Sequence, residues 1–142
     1  MCIQAYNARM KWRGWLIIWI LAIIFPLAAI GHFSPAFQHI FDRIFSPNWV
    51  HIVMHVVLFA GLSGLLMLAF RLSLSARTIA ITLGVVIAIG LLQEGFQAFS
   101  QGFFSLAGAT SDLAVDLAGG ALGLMFMGLK RRNPVRTGRL DS

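Results

Sequence analysis

Charge is what this sequence has least of. Asp, Glu, Lys and Arg make up only 11% of its 142 residues, less than half the roughly 25% of a water-soluble domain. With 58% hydrophobic residues and a mean hydropathy of +0.83, that shortage excludes an ordinary soluble globule and indicates a membrane protein. Cysteine is nearly absent: Cys2 stands alone, so neither an internal disulfide nor a cysteine-paired zinc site can form. No phosphate-binding loop, Gly-x-Ser-x-Gly elbow or His-Glu-x-x-His motif is present, so no catalytic residue can be assigned from a motif. Basic residues are not spread along a stripe, despite a pI near 11.2. They flank the apolar runs as Arg9, Lys11 and Arg13, then Arg71 and Arg77, then Lys130, Arg131, Arg132, Arg136 and Arg139. That pattern carries topology and argues against nucleic acid as a partner.

What is present is apolar length. Crossing the hydrocarbon core takes about 20 residues of helix, and the runs Gly14–Phe33, Val50–Phe70, Thr78–Phe99 and Asp112–Leu129 approach or meet that length. The expected fold is therefore all-α, a small polytopic bundle of four transmembrane helices. It divides into a basic N-terminus (1–13), the membrane domain (14–129) and a basic, disordered tail (130–142). With four spans, all the basic clusters except Arg43 fall on one side, and the positive-inside rule then makes both termini cytoplasmic. A cleaved signal peptide ending near Ala29-Ile30-Gly31 is the competing reading of the first span. The apolar run from Trp15 to Ile30 exceeds the usual h-region of about 7–15 residues. Between the first two spans, Ser34 suits an N-cap and Pro35 the first helical position. Phe37, Ile40, Phe41, Ile44 and Phe45 recur at helical spacing, which predicts a short interfacial helix. The segment 100–111 reads as a loop dipping into the interface, with Thr110 or Ser111 capping the fourth helix and Asp112 in its first turn.

The strongly polar residues of the spans converge on one depth. His51 and His55 open the second span, Gln93, Glu94 and Gln97 lie near the end of the third, and Asp112 and Asp116 open the fourth. At about 1.5 Å of rise per residue, His55, Glu94 and Asp116 all fall roughly 6–9 Å below one membrane face. His51/His55 and Asp112/Asp116 are each one helical turn apart and share a face. An ionisable group at a helix centre costs about 2.5–3.5 kcal/mol on insertion scales, so such a cluster is a candidate functional site. His51, His55, Glu94, Gln97, Asp112 and Asp116 form the candidate set. Simpler roles exist for several: His51 and Asp112 as border residues, Gln93 and Gln97 as interhelical hydrogen-bonding groups. No cofactor is required, although His51, His55, Glu94 and Asp116 are donor types that could hold a divalent metal. Gly119-xxx-Gly123, Ala60-xxx-Gly64 and Gly84-xxx-Ala88 are small-residue pairs of the kind that bring membrane helices close.

At these residues the chain resembles the VanZ-like family of membrane proteins, over about Trp49 to Leu129. The family's His on the second helix, its Glu-x-x-Gln on the third and its Asp-x-x-x-Asn-x-x-Gly on the fourth correspond here to His55, Glu94/Gln97 and Asp112/Asp116/Gly119. The departures are His51-Ile52 for a leading Asp-Lys, Phe59 for Tyr, Asp116 for Asn, and no Arg in the loop before Asp112. The resemblance implies a small bacterial membrane protein acting at the cell envelope, in a family whose founding member is linked to low-level teicoplanin resistance. It implies no molecular activity.

The expected function is thus an integral protein of the bacterial cytoplasmic membrane whose outer-leaflet pocket engages a lipid-linked precursor or lipid headgroup. A metal-assisted membrane enzyme acting on an envelope lipid, with Glu94 as general acid or base, is the first alternative. A proton- or ion-coupled transporter subunit, working as an oligomer, and a purely structural interaction partner are the others.

Overall fold

The computed structural model describes residues 2–25 and 47–132. They form four α-helices and, among the described residues, no strand: α1 (Cys2–Ile24), α2 (Asn48–Ala69), α3 (Ala76–Gln101) and α4 (Leu106–Arg132). The expected all-α class is what the chain adopts. By length and composition α2, α3 and α4 can each cross a membrane. α1 carries Gly14–Ile24 of the first predicted span. The rest of that span, the interfacial helix expected over 34–47, the Ala29-Ile30-Gly31 site and the tail from residue 133 lie outside the described residues, Phe25 and Pro47 apart.

Helix boundaries follow local chemistry more than apolar length. α1 starts well before Gly14 because residues 2–13 contain neither proline nor glycine, so nothing in the basic segment interrupts a helix. It stops before Phe25, the residue preceding Pro26, where the proline ring disfavours α backbone. α2 ends in a backbone-capped turn. Phe70 N–H bonds the Leu66 carbonyl and Leu72 N–H the Met67 carbonyl, both at 3.1 Å, with Arg71 at φ 50°. That left-handed position usually belongs to glycine. Ser75 caps α3 by accepting the Thr78 N–H at 3.2 Å, and Gly102, at φ 66°, ends it.

The start of α4 differs from the sequence expectation. Ser105 is the cap, its Oγ accepting the Gly108 N–H at 3.2 Å, and the helix begins at Leu106 rather than Asp112. Thr110 lies within the helix and donates back to the Leu106 and Ala107 carbonyls at 3.0 Å. Asp112 is therefore a second-turn residue, and the predicted loop shrinks to 102–105.

α2 and α4 run side by side in the same direction, in close contact. A Cβ on Gly119 would meet the backbone of Val56, and one on Gly123 the backbone of Ala60. The Gly119/Gly123 face is the close-approach surface that its spacing predicted. Gly64 and Gly84 are not: a Cβ on either meets nothing within 4 Å. α1 leans on α2 through Trp19, which lies against Gly61 and donates its indole N–H to the Leu58 carbonyl at 2.8 Å. Leu16, Ile23, Phe59, Leu62, Leu66 and Val86 form the main core, with Met67, Leu124 and Met127 in a second cluster.

The two ends of the bundle have different characters. At one end the Arg13 guanidinium lies 5.5 Å above the Phe70 ring, and Gly128 abuts Leu74. The basic residues Arg13, Arg71, Arg77, Lys130 and Arg131 therefore share this end. At the other end Phe25 packs edge-on against Phe96, ring centres 5.1 Å apart. His51, His55, Glu94, Asp112 and Asp116 gather there.

Candidate functional site

Three helices each contribute two positions one turn apart, and the six positions stack into two layers. α2 brings His51 and His55, α4 brings Asp112 and Asp116, and α3, running the opposite way, brings Glu94 and Gly90. Because i and i+4 lie one above the other on a helix, matching pairs meet layer by layer. His51 faces Asp112 in the outer layer, and His55 faces Asp116 in the inner one.

The inner layer is closed. His55 Nδ1 and Asp116 Oδ1 are 2.7 Å apart, and their side chains are only 6% and 2% exposed. At that separation the Nδ1–H donates to the carboxylate in a short, charge-assisted hydrogen bond. Gly90 makes room for it: a Cβ there would lie 2.8 Å from Asp116 Oδ2. Phe59 covers the His55 ring from the next turn of α2, ring centres 6.2 Å apart.

The outer layer is open. His51 Nδ1 and Asp112 Oδ1 are 3.7 Å apart, with side chains 47% and 22% exposed. That distance is beyond the hydrogen-bond range of about 2.7–3.2 Å. Glu94 lies beside Asp112 and within electrostatic reach of His55 and Asp116. Its Oε1 is buried without a hydrogen-bond partner among the described residues. The imidazoles of the two layers stand over one another, ring centres 4.3 Å apart.

Five of the six expected site residues, His51, His55, Glu94, Asp112 and Asp116, thus come together. Gln97 is half-buried one turn further along α3 and makes no side-chain hydrogen bond to the cluster among the described residues. Gln93 is buried, 4% exposed, with its Oε1 unpartnered among the described residues. Gly90 was not anticipated, although its place one turn before Glu94 was the available signal.

The cluster brings three carboxyl groups and two imidazoles together, and among the described residues no Lys or Arg lies at this end of the bundle. One donor atom each from His51, His55 and Asp112 falls in a group whose members all lie within 4.8 Å of one another. Glu94 and Asp116, named with the two histidines as metal candidates from sequence, stand outside that group.

No protein-family model, curated protein or solved structure matches this chain.

Proposed function

We propose that this chain is a VanZ-like integral protein of the bacterial cytoplasmic membrane, whose layered His–carboxylate pocket opens outward and engages a lipid-linked precursor or the headgroup of an envelope lipid. The observation that carries the reading is the gradient of burial within the cluster. A partly exposed rim of His51 and Asp112, with Glu94 beside them, stands over a buried His55–Asp116 base. Ionisable groups are costly inside a bilayer, so a cluster of them with a partly exposed rim supports a binding role. Placement at the end opposite the basic clusters supports an outward-facing opening by the positive-inside rule, with both termini cytoplasmic.

Two measurements test this. In a Cys2→Ser background, Val50→Cys should react with a membrane-impermeant maleimide applied to intact spheroplasts, while Ser75→Cys should not. Native mass spectrometry of the protein released from membranes should show a retained lipid in wild type that is lost in Asp112→Ala and Glu94→Gln. Equal lipid retention in all three proteins, or the reverse labelling pattern, would refute the proposal.

A further inference from the structure

We propose that the rim of this pocket is a divalent transition-metal site, with His51, His55 and Asp112 as ligands and Asp116 as the residue that positions His55. The proposal rests on the pocket reading above and gives it a chemistry: the bound cation would be the group that grips a phosphate oxygen of the headgroup.

Three features of the geometry point to a metal. The donor set comes first. Two imidazoles and a carboxylate, all within 4.8 Å of one another, suit zinc and its neighbours, whereas magnesium and calcium favour oxygen-only sets. Catalytic and ligand-exchanging zinc sites commonly have three protein ligands and a fourth position open to water or substrate.

Spacing is the second feature. The two His–Asp pairs have the same sequence interval yet different separations: 2.7 Å at the base and 3.7 Å at the rim. Ligands about 2.0–2.1 Å from a tetrahedral ion are roughly 3.4 Å apart. The base pair is too close to admit an ion. The rim pair is too far apart for a hydrogen bond and within a few tenths of an ångström of the span across a metal.

The third feature is the surrounding shell. Metal-bound histidines usually donate their other ring N–H to a carboxylate, which fixes the tautomer and orients the ring. His55 makes that bond to Asp116 through Nδ1, leaving Nε2 as its free ring nitrogen. Gly90 leaves the Asp116 carboxylate the room it needs, having no Cβ. Beside Asp112, Glu94 holds a buried Oε1 with no hydrogen-bond partner among the described residues, an acceptor left unsatisfied next to the three ligands. The exposed side of His51 provides the route of entry.

The test uses the full chain, purified in detergent with an affinity tag that contains no histidine, stripped with chelator and titrated with Zn²⁺. Wild type should bind one Zn²⁺ per chain. His51→Ala and Asp112→Ala, at the accessible rim, should fold normally by circular dichroism and weaken binding at least tenfold. Asp116→Asn should weaken it by about 10–100-fold, the range for removing a ligand's supporting carboxylate. Absence of one-to-one binding, or affinity unchanged in both rim variants, overturns the proposal. Lipid retention separates this failure from that of the pocket itself. Phospholipid lost on chelation and restored by Zn²⁺ supports the metal. Retention that survives chelation but fails in Glu94→Gln overturns the metal and leaves the pocket standing.

Discussion

Replacing Gly119 or Gly123 with alanine should push α2 and α4 apart. A Cβ on Gly119 would lie 2.7 Å from the Val56 carbonyl oxygen and 2.9 Å from its Cα, and one on Gly123 would lie 2.9 Å from Ala60 Cα. These separations fall under the 3.0 Å that real Cβ atoms respect, and the obstacles are backbone. A backbone atom within a helix cannot rotate aside, so the helices themselves must move. Restoring ordinary contact at Gly119 takes an opening of about 0.7 Å, and gaps of that size forfeit a quarter to a half of the dispersion well for the atoms along the seam. Overpacking of this kind costs about 1–3 kcal/mol, against about 1 kcal/mol gained from alanine's higher helix propensity. Each substitution should therefore be net destabilising, by up to about 2 kcal/mol. Gly64→Ala and Gly84→Ala are the matched controls. Their added Cβ meets nothing within 4 Å, so only the propensity gain of up to about 1 kcal/mol applies. Denaturant unfolding in mild detergent, followed by circular dichroism, reads the sign directly. If Gly119→Ala and Gly123→Ala stabilise the protein as much as the two controls do, the close α2–α4 seam is refuted.

Three further outcomes follow from the same contacts. Removing one partner of the buried base pair, by His55→Ala or Asp116→Ala, should cost about 3–5 kcal/mol in the same unfolding assay, whereas His51→Ala at the 3.7 Å rim pair should stay within about 1 kcal/mol; comparable losses at the two levels would contradict the layered description. Ser63 and Thr82 are fully buried and their hydroxyls lack partners among the described residues, so Ser63→Ala and Thr82→Val should be neutral or stabilising, because no hydrogen bond is lost; a loss above about 1 kcal/mol would mean that those hydroxyls are bonded. Arg71→Gly should raise stability by about 1 kcal/mol by relieving left-handed backbone at a non-glycine residue, and unchanged or lower stability would assign that turn a different conformation.

The helices were legible in the sequence because a bilayer demands long apolar runs, and α2 and α3 begin within two residues of the expected positions. The site was legible because helical phase is simple arithmetic. His51/His55 and Asp112/Asp116 share a period of four, and two helices running in parallel must align such pairs layer by layer. Other features were hidden by weaker signals. The start of α4 was misplaced because Leu106, Ala107 and Gly108 carry no polar periodicity, and Ser105 was the cap that an apolar-length argument overlooks. Gly64 and Gly84 carried the same small-residue spacing as Gly119 and Gly123, yet only the latter pair meets a neighbouring backbone. Spacing identifies a smooth face but not which helix lies against it. Gly90 went unnoticed for a related reason, since its role is defined by Asp116 on another helix.

The seam between α2 and α4 has a consequence for traffic. Immediately beyond the His55–Asp116 pair, Gly119 and Gly123 press on the main chain of Val56 and Ala60, so this seam offers no path onward from the cluster. Under the proposed function, a ligand docked at the rim would have to leave by the side from which it entered. On that same proposal, release would then be governed by how quickly the ligand backs out, and bulky lipids that diffuse away slowly would act as plugs.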